Sequence, residues 1–169
     1  MSHLDKMKWV MVLWLEVLVV VVGAARPRII EGSMAQSGEF PWAAALLVNA
    51  EDSATSKFMN HFCGGSLIDE GWILTAAHCV VDFFSPDRLS VVVGATDLNS
   101  WFEESFTLDG MTYAPEFRMV SEIFTHPAYN ELTFDNDVAL LHLSDPSTLP
   151  TLNIATSQPP DNTQVLVCG

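Results

Sequence analysis

The sequence has few basic residues. Its 169 residues include 7 Lys and Arg against 21 Asp and Glu, which gives a formal charge of −14 at pH 7. Four of the seven basic residues precede residue 29, so the rest of the chain has three basic and 19 acidic side chains and a formal charge of −16. A surface of this sign repels phosphate backbones and anionic headgroups. We therefore expect neither nucleic acid nor a membrane surface among its partners.

Long apolar runs are also missing. The longest, residues 9–22, has 14 residues and contains Glu16, whereas a bilayer span takes about 20 apolar residues. Lys6 and Lys8 precede the run and small residues follow it, which is typical of a secretory signal peptide cleaved after Ala25. A membrane anchor is the alternative. We expect residues 1–25 to be a signal peptide and the mature protein to be secreted and free of the membrane.

Cysteine is scarce and its count is odd. The natural pair is Cys63 and Cys79, which are 16 positions apart and each end a β-like run. In a secreted protein this disulfide would stabilise the fold by about 3 kcal/mol. Cys168 is left over, and either its partner lies further along a longer chain or it is a buried free thiol.

No long helical period follows residue 28. Short apolar runs alternate with turn residues, which is typical of an all-β barrel or sandwich. One helical turn is possible at 76–80. Residues 144–162 are rich in Pro, Ser, Thr and Asp and indicate an extended linker, and the apolar run 165–168 resembles the opening strand of a second domain. The predicted strands are 42–48, 62–68, 72–75, 89–93, 117–125 and 138–143.

The strongest chemical signal is the histidine in residues 74–79, Leu-Thr-Ala-Ala-His-Cys. A β-run leads into two alanines that permit close backbone packing, and Cys79 ties the corner to Cys63. His78 would thus be held on a rigid corner. Imidazole titrates near neutral pH, so a histidine fixed in this way suits a general base.

A second signal is the carboxylate at the start of an apolar run, in residues 135–141, Asp-Asn-Asp-Val-Ala-Leu-Leu. A half-buried anion needs hydrogen bonds or a charged partner, and an imidazole is a suitable one. A simple turn aspartate is the other interpretation, and it fits Asp135 better than Asp137. We therefore select Asp137.

A third signal lies just behind the leader, where Arg28 precedes Ile29-Ile30-Glu31-Gly32. Cleavage between Arg28 and Ile29 would free an apolar N-terminus that carries a charge. By itself the pattern is weak, because many secreted chains contain such a sequence.

Together these motifs resemble the chymotrypsin/trypsin family of serine proteases over about residues 28–169. The resemblance is carried by residues 28–32, Phe40-Pro41-Trp42, the segments 62–68 (Phe-Cys-Gly-Gly-Ser-Leu-Ile) and 72–79 (Trp-Ile-Leu-Thr-Ala-Ala-His-Cys), 126–130 (His-Pro-Ala-Tyr-Asn) and 136–141 (Asn-Asp-Val-Ala-Leu-Leu).

The resemblance implies two six-stranded antiparallel β-barrels with the active site between them. This chain would supply the first barrel, the interdomain linker and the start of the second barrel. It implies His78 as the general base, Asp137 as its orienting partner, the disulfide Cys63–Cys79 beside them, and activation by cleavage between Arg28 and Ile29. Residues 26–28 would be a short activation pro-segment, and 29–169 a trypsin-like protease domain incomplete at its C-terminus.

The family's third catalytic group is missing from the sequence. In chain order a serine should follow His78 and Asp137, but no Gly-Asp-Ser-Gly-Gly segment occurs, and Ser66 matches a structural strand motif. We expect a secreted endopeptidase made as a zymogen, whose partners are peptide substrates and an activating trypsin-like protease. These 169 residues alone would be inactive. The alternative is a non-catalytic homologue that acts as a binding protein.

No cofactor or metal is expected. His61 and His126 lie in loop-like sequence, and neither has the spacing of a metal ligand with any Cys or Asp. His142 lies within a predicted strand, where we expect a polar residue on the outer surface.

Overall fold

A computed structural model describes residues 32–49, 61–83 and 85–168. The chain divides into two compact units, Met1–Met34 and Ala35–Gly169. In the first unit only residues 32–34 are described, and they form neither helix nor strand. The predicted signal peptide, pro-segment and cleavage site, with Arg28 and Ile29, lie outside the described residues. No helix in the described ranges is both long and apolar enough to cross a bilayer.

The second unit contains a closed barrel of six strands, which confirms the predicted fold class. Its strands follow one another around the barrel in the order β1-β2-β3-β8-β7-β4, and all neighbours are antiparallel. β5 and β6 pair separately. The strands are β1 Ala43–Val48, β2 His61–Asp69, β3 Trp72–Thr75, β4 Leu89–Val93, β5 Phe106–Leu108, β6 Met111–Tyr113, β7 Glu116–Thr125 and β8 Ala139–Leu143.

The barrel interior is filled by aliphatic side chains. In β8, for example, Ala139, Leu141 and Leu143 are buried while the residues between them are partly exposed, as expected when side chains alternate across a strand. Burial of each Leu, Ile or Val contributes about 1.5–3 kcal/mol, so this cluster supplies the main drive for folding. Fully buried members are Leu46, Leu67, Ile73, Leu89, Val91, Val93 and Leu141.

A close approach of strands occurs at Gly65 in β2. A Cβ built there would lie 2.8 Å from Ile73 Cγ2 and 2.9 Å from the carbonyl oxygen of Leu74, whereas one at Gly64 would meet nothing nearer than 3.8 Å. Because the Leu74 contact is backbone, the interior cannot adjust by a rotamer change alone.

We expect Gly65→Ala to lower the free energy of unfolding by about 1–3 kcal/mol, the usual cost of overpacking. The neighbouring Gly64→Ala is the matched control and should stay within about 0.5 kcal/mol of the wild type. Urea unfolding followed by circular dichroism measures both. Equal stability of the two variants would contradict the packing argument.

The structure differs from the sequence prediction in two places. It contains a short hairpin, β5 and β6, that was not predicted, and the turn residues Asp109 and Gly110 of this hairpin have φ of 52° and 82°. These values favour a type I′ turn, for which Asp-Gly is a preferred pair. Residues 165–168, expected to begin a second domain, form no strand, because no described segment supplies the ladder partner that a strand requires.

His142 lies on the outer face of its strand, as expected, but it is partly covered by neighbouring side chains. It is half-buried, its Nδ1 lies 2.8 Å from Ser121 Oγ, and its ring centroid is 4.7 Å from that of Trp72. This partial burial arises because β8 lies between β3 and β7, so side chains from both neighbouring strands cover its outer face.

Residues 144–162, the predicted linker, form neither helix nor strand, and the first part of the segment is attached to the barrel. The amides of Ser144, Ser147 and Leu152 donate to the carbonyls of Met119, Glu70 and Leu67, at 2.9, 2.6 and 2.8 Å. The Glu116 carboxylate accepts hydrogen bonds from the hydroxyls of Ser147 and Thr148, at 2.7 and 2.6 Å, and pairs with Arg118 at 2.9 Å.

Candidate active site

The site is positioned by the pairing of β3 with β8. Thr75, the last residue of β3, lies opposite Ala139, the first residue of β8. His78 follows Thr75 by three residues and Asp137 precedes Ala139 by two. Because the strands are antiparallel, both residues emerge at the same end of the barrel. A register shift of one residue would separate His78 from Asp137 and would move the buried side chains of β8 to the outer face of the barrel.

His78 lies on a short 3₁₀ turn, Ala77–Cys79, at the predicted helical turn. The turn is closed by the amide of Val80, which donates to the carbonyl of Ala77 at 3.0 Å. Ala77 is fully buried, so only a small side chain fits beneath the turn. Cys79 forms a disulfide with Cys63 in β2, with a Cα–Cα distance of 6.2 Å, and this is the predicted pairing.

His78 and Asp137 make a two-point contact. His78 Nδ1 lies 2.7 Å from Asp137 Oδ2, and the backbone amide of His78 donates to Oδ1 at 2.9 Å. A carboxylate can only accept, so the neutral ring carries its proton on Nδ1 and keeps a lone pair on Nε2. The His78 side chain is 50% exposed and that of Asp137 22%, so the imidazole is accessible while the carboxylate is half-buried.

Hydrogen bonding favours the ionised form of Asp137. The backbone amide of His78 is the largest cause, followed by the His78 side chain, and together they lower the pKa of Asp137 below 3.8 although partial burial opposes the shift. In Tyr129 the neutral form is favoured instead. Burial, followed by the negative charges of Asp137, Glu131 and Asp82, raises the pKa of this phenol above 10.0.

The lowered pKa of Asp137 predicts a pH dependence of stability. Because the folded state binds this proton less tightly than the unfolded state, the carboxylate stabilises the fold above about pH 4, and that contribution is lost as the pH falls through the folded pKa. Asp137→Asn removes the titration. Thermal unfolding between neutral and acidic pH should therefore show a stability difference between wild type and variant that shrinks on acidification. A difference that is constant with pH would contradict the assignment.

Phe134 was not selected from the sequence, yet its ring contacts the imidazole. The two ring centroids are 6.0 Å apart with planes at 81°, and the Phe134 side chain remains largely exposed. Phe134 has a left-handed backbone, with φ of 58°. An aromatic residue three positions before an aspartate is too common a pattern to have indicated this contact.

The two cysteine sulfur atoms beside His78 are not suited to bind a metal ion. Potential ligand atoms of Cys63, His78 and Cys79 lie within 4.8 Å of one another. Cys79 Sγ is 3.5 Å from His78 Nε2. Both sulfurs are consumed by the disulfide, however, and a metal ligates the thiolate form of cysteine. The cluster therefore serves as a cross-link beside the imidazole.

Comparison with known proteins shows the family to which this chain belongs. The Trypsin family model matches residues 29–169. Vitamin K-dependent protein C of Rattus norvegicus is 37% identical over 123 residues, which are 73% of this chain and 22% of that protein. A trypsin of Phaedon cochleariae is 32% identical over 149 residues, covering 84% of this chain and 49% of its own length.

Solved structures show the same similarity. The VesB protease of Vibrio cholerae matches with a TM-score of 0.58 and 31% identity, over 76% of this chain and 34% of that one. The secreted serine protease VesC of the same organism matches with a TM-score of 0.58 and 30% identity, over 74% and 23%. The chain thus spans half or less of the length of these relatives. From its sequence and its barrel, the chain belongs to the chymotrypsin/trypsin family of serine proteases.

Proposed function

We propose that this chain is part of a secreted serine endopeptidase made as a zymogen, and that its 169 residues supply the general base and the orienting carboxylate but not the nucleophile. The observation that carries the proposal is the two-point contact of Asp137 with the ring and the backbone amide of His78. One carboxylate thereby fixes both the position and the tautomer of the imidazole.

The roles of the two residues follow from this contact. His78 Nε2, with its lone pair, accepts the proton of a serine hydroxyl as the serine oxygen attacks a peptide carbonyl carbon. Asp137 stabilises the imidazolium that forms. When the C–N bond breaks, His78 returns the proton to the leaving amine, and a water then releases the acyl group by the same proton transfers. No cofactor takes part in these steps.

The nucleophile and the oxyanion donors would lie outside the 169 residues. No described serine hydroxyl contacts His78, and Ser66 is paired within β2 opposite Ala43 and Leu74. In the absence of the nucleophile these residues bind no acyl group, so the isolated chain should not hydrolyse peptides at protease rates.

Secretion and activation belong to the same proposal. The leader of residues 1–25 supports export, and one relative, VesC, is itself described as secreted. Cleavage between Arg28 and Ile29 by a trypsin-like protease would remove the pro-segment 26–28. Arg28 indicates the specificity of the activator, since such proteases cut after basic residues, and it gives no information on the specificity of this enzyme.

A second candidate is a protease homologue that binds a partner without catalysis. One feature favours it: the described C-terminal segment exposes apolar side chains, with Val165, Leu166 and Val167 at 76, 77 and 72%. Exposed apolar patches of this kind favour association. Retention of the His78–Asp137 pair argues against this candidate, because binding alone does not require an imidazole oriented by a carboxylate.

The decisive experiment is to sequence the transcript beyond the codon for Gly169 and to assay the encoded protein after treatment with trypsin. A continuation that contains Gly-Asp-Ser-Gly-Gly, with peptide hydrolysis that is lost in His78→Ala, supports the endopeptidase. A stop codon at that point, or a serine replaced by another residue, favours the binding protein instead.

A further inference from the structure

Asn136, the residue before Asp137, has a left-handed backbone with φ of 56°. Few L-residues adopt this region readily, and Asn is among those enriched there. The carbonyl of Asn136 accepts a hydrogen bond from the amide of Val138 at 2.8 Å, so the backbone turns tightly around Asp137. The direction in which the Asp137 side chain leaves the backbone is therefore set by the conformation of its neighbour.

The side chain of Asn136 holds this turn in place. Its Nδ2 donates to the carbonyl of Ala128 at 2.9 Å, eight residues earlier in the chain. Both residues belong to the loop 126–138, whose ends are joined by the amide of His126 and the carbonyl of Val138 at 3.0 Å. The side-chain amide of Asn136 therefore links the two sides of the loop beside the Asp137 carboxylate.

The contact between Asp137 and His78, which depends on this turn, tolerates little displacement of either residue. Asp137 meets His78 through bonds of 2.7 and 2.9 Å, and hydrogen bonds weaken beyond about 3.2 Å. A displacement of Asp137 away from His78 by about 0.5 Å would bring both bonds to this limit or beyond it. We infer that Asn136 is a positioning residue that orients Asp137 toward His78, an inference that rests on the proposed function of that pair.

The residue type fits both requirements. Glycine at position 136 would adopt the left-handed backbone without strain but would have no donor for the Ala128 carbonyl. Alanine would lack the donor and would also be strained. Aspartate tolerates the backbone, yet its carboxylate would place an acceptor against an acceptor.

The test is the proton resonance of His78 Nδ1 in the 169-residue chain with its disulfide formed. In the wild type, the hydrogen bond to Asp137 should slow the exchange of this proton with water enough for a low-field signal to be observed. The substitution Asp137→Asn should remove that signal. We expect the signal to be lost in both Asn136→Ala and Asn136→Gly, while circular dichroism shows that the barrel remains.

Asn162→Ala is the matched control. Asn162 is also a left-handed asparagine, with φ of 64°, and lies in an exposed turn of the C-terminal segment. The same substitution there should keep the His78 signal. If Asn136→Ala fails to fold, Asn136→Gly decides the question, since its backbone is unstrained.

The outcomes separate the two proposals. A wild type that lacks the low-field signal overturns the His78–Asp137 arrangement and, with it, the proposed function. A wild type that shows the signal, together with an Asn136→Gly variant that keeps it at the same shift and intensity, overturns only the assignment of Asn136. A signal lost in both Asn136 variants and kept in Asn162→Ala supports the assignment.

Discussion

Asp137→Asn should lower kcat by about 10⁴-fold in the protein that carries the nucleophile, the loss that this substitution causes in the family template. The physical reason lies in the tautomer. The carboxylate accepts the Nδ1 proton of His78, whereas an amide can instead donate to Nδ1 and leave the proton on Nε2. Nε2 then has no lone pair for the serine proton. Steady-state hydrolysis of a peptide substrate measures the loss, with KM changing much less than kcat.

Asp135→Asn is the matched control for that substitution. Its carboxylate accepts from Thr133 Oγ1 at 2.8 Å and makes no contact with His78. The sequence favoured Asp137 and indicated a turn aspartate at Asp135, so the pair of variants also tests that choice. We expect less than about a threefold change in kcat for Asp135→Asn. Comparable losses in both variants would show that the loop, and not one carboxylate, determines activity.

Removal of the disulfide should lower the free energy of unfolding by about 3 kcal/mol. Cys63 and Cys79 are 16 residues apart, and the cross-link restricts the unfolded chain by an amount that depends on that loop length. The double variant Cys63→Ala with Cys79→Ala should show this loss in urea unfolding. A loss of this size is a large fraction of the stability of an ordinary domain.

Cys168→Ala provides the control for the disulfide, since Cys168 is free and exposed. Its stability should stay within about 0.5 kcal/mol of the wild type. Reduction of the wild type should reproduce the loss seen in the double variant, and should leave the double variant itself unchanged. If reduction also destabilises the double variant, the effect arises elsewhere than at Cys63 and Cys79.

The barrel strands could be predicted because each has a local signature. Residues 72–75 and 89–93 coincide with β3 and β4, and the other four barrel strands were placed to within one residue at each end. The hairpin of β5 and β6 was missed, since strands of three residues are too short to show alternation. Cross-strand register was not predictable from local pattern either, because it depends on partners far apart in the chain.

The candidate site could be predicted only in part for the same reason. His78 and Asp137 were selected from their neighbours, but the register that places Thr75 opposite Ala139 is a property of the closed barrel. The contacts of Phe134 and Asn136 depend on left-handed backbone positions at 134 and 136. Those conformations arise from the hydrogen bonds of the whole loop 126–138, which no single residue indicates.

The pairing of β3 with β8 also has a kinetic consequence. It joins parts of the chain that are more than 60 residues apart. The entropy of closing this long loop is therefore lost before the contacts between the two strands stabilise the fold. Topologies dominated by such distant pairings fold slowly, on the order of milliseconds to seconds. His78 and Asp137, separated by 59 residues, meet only when that closure is made. The pair therefore cannot form before β3 and β8 have joined, and partly folded chains in which these strands are apart lack an oriented base.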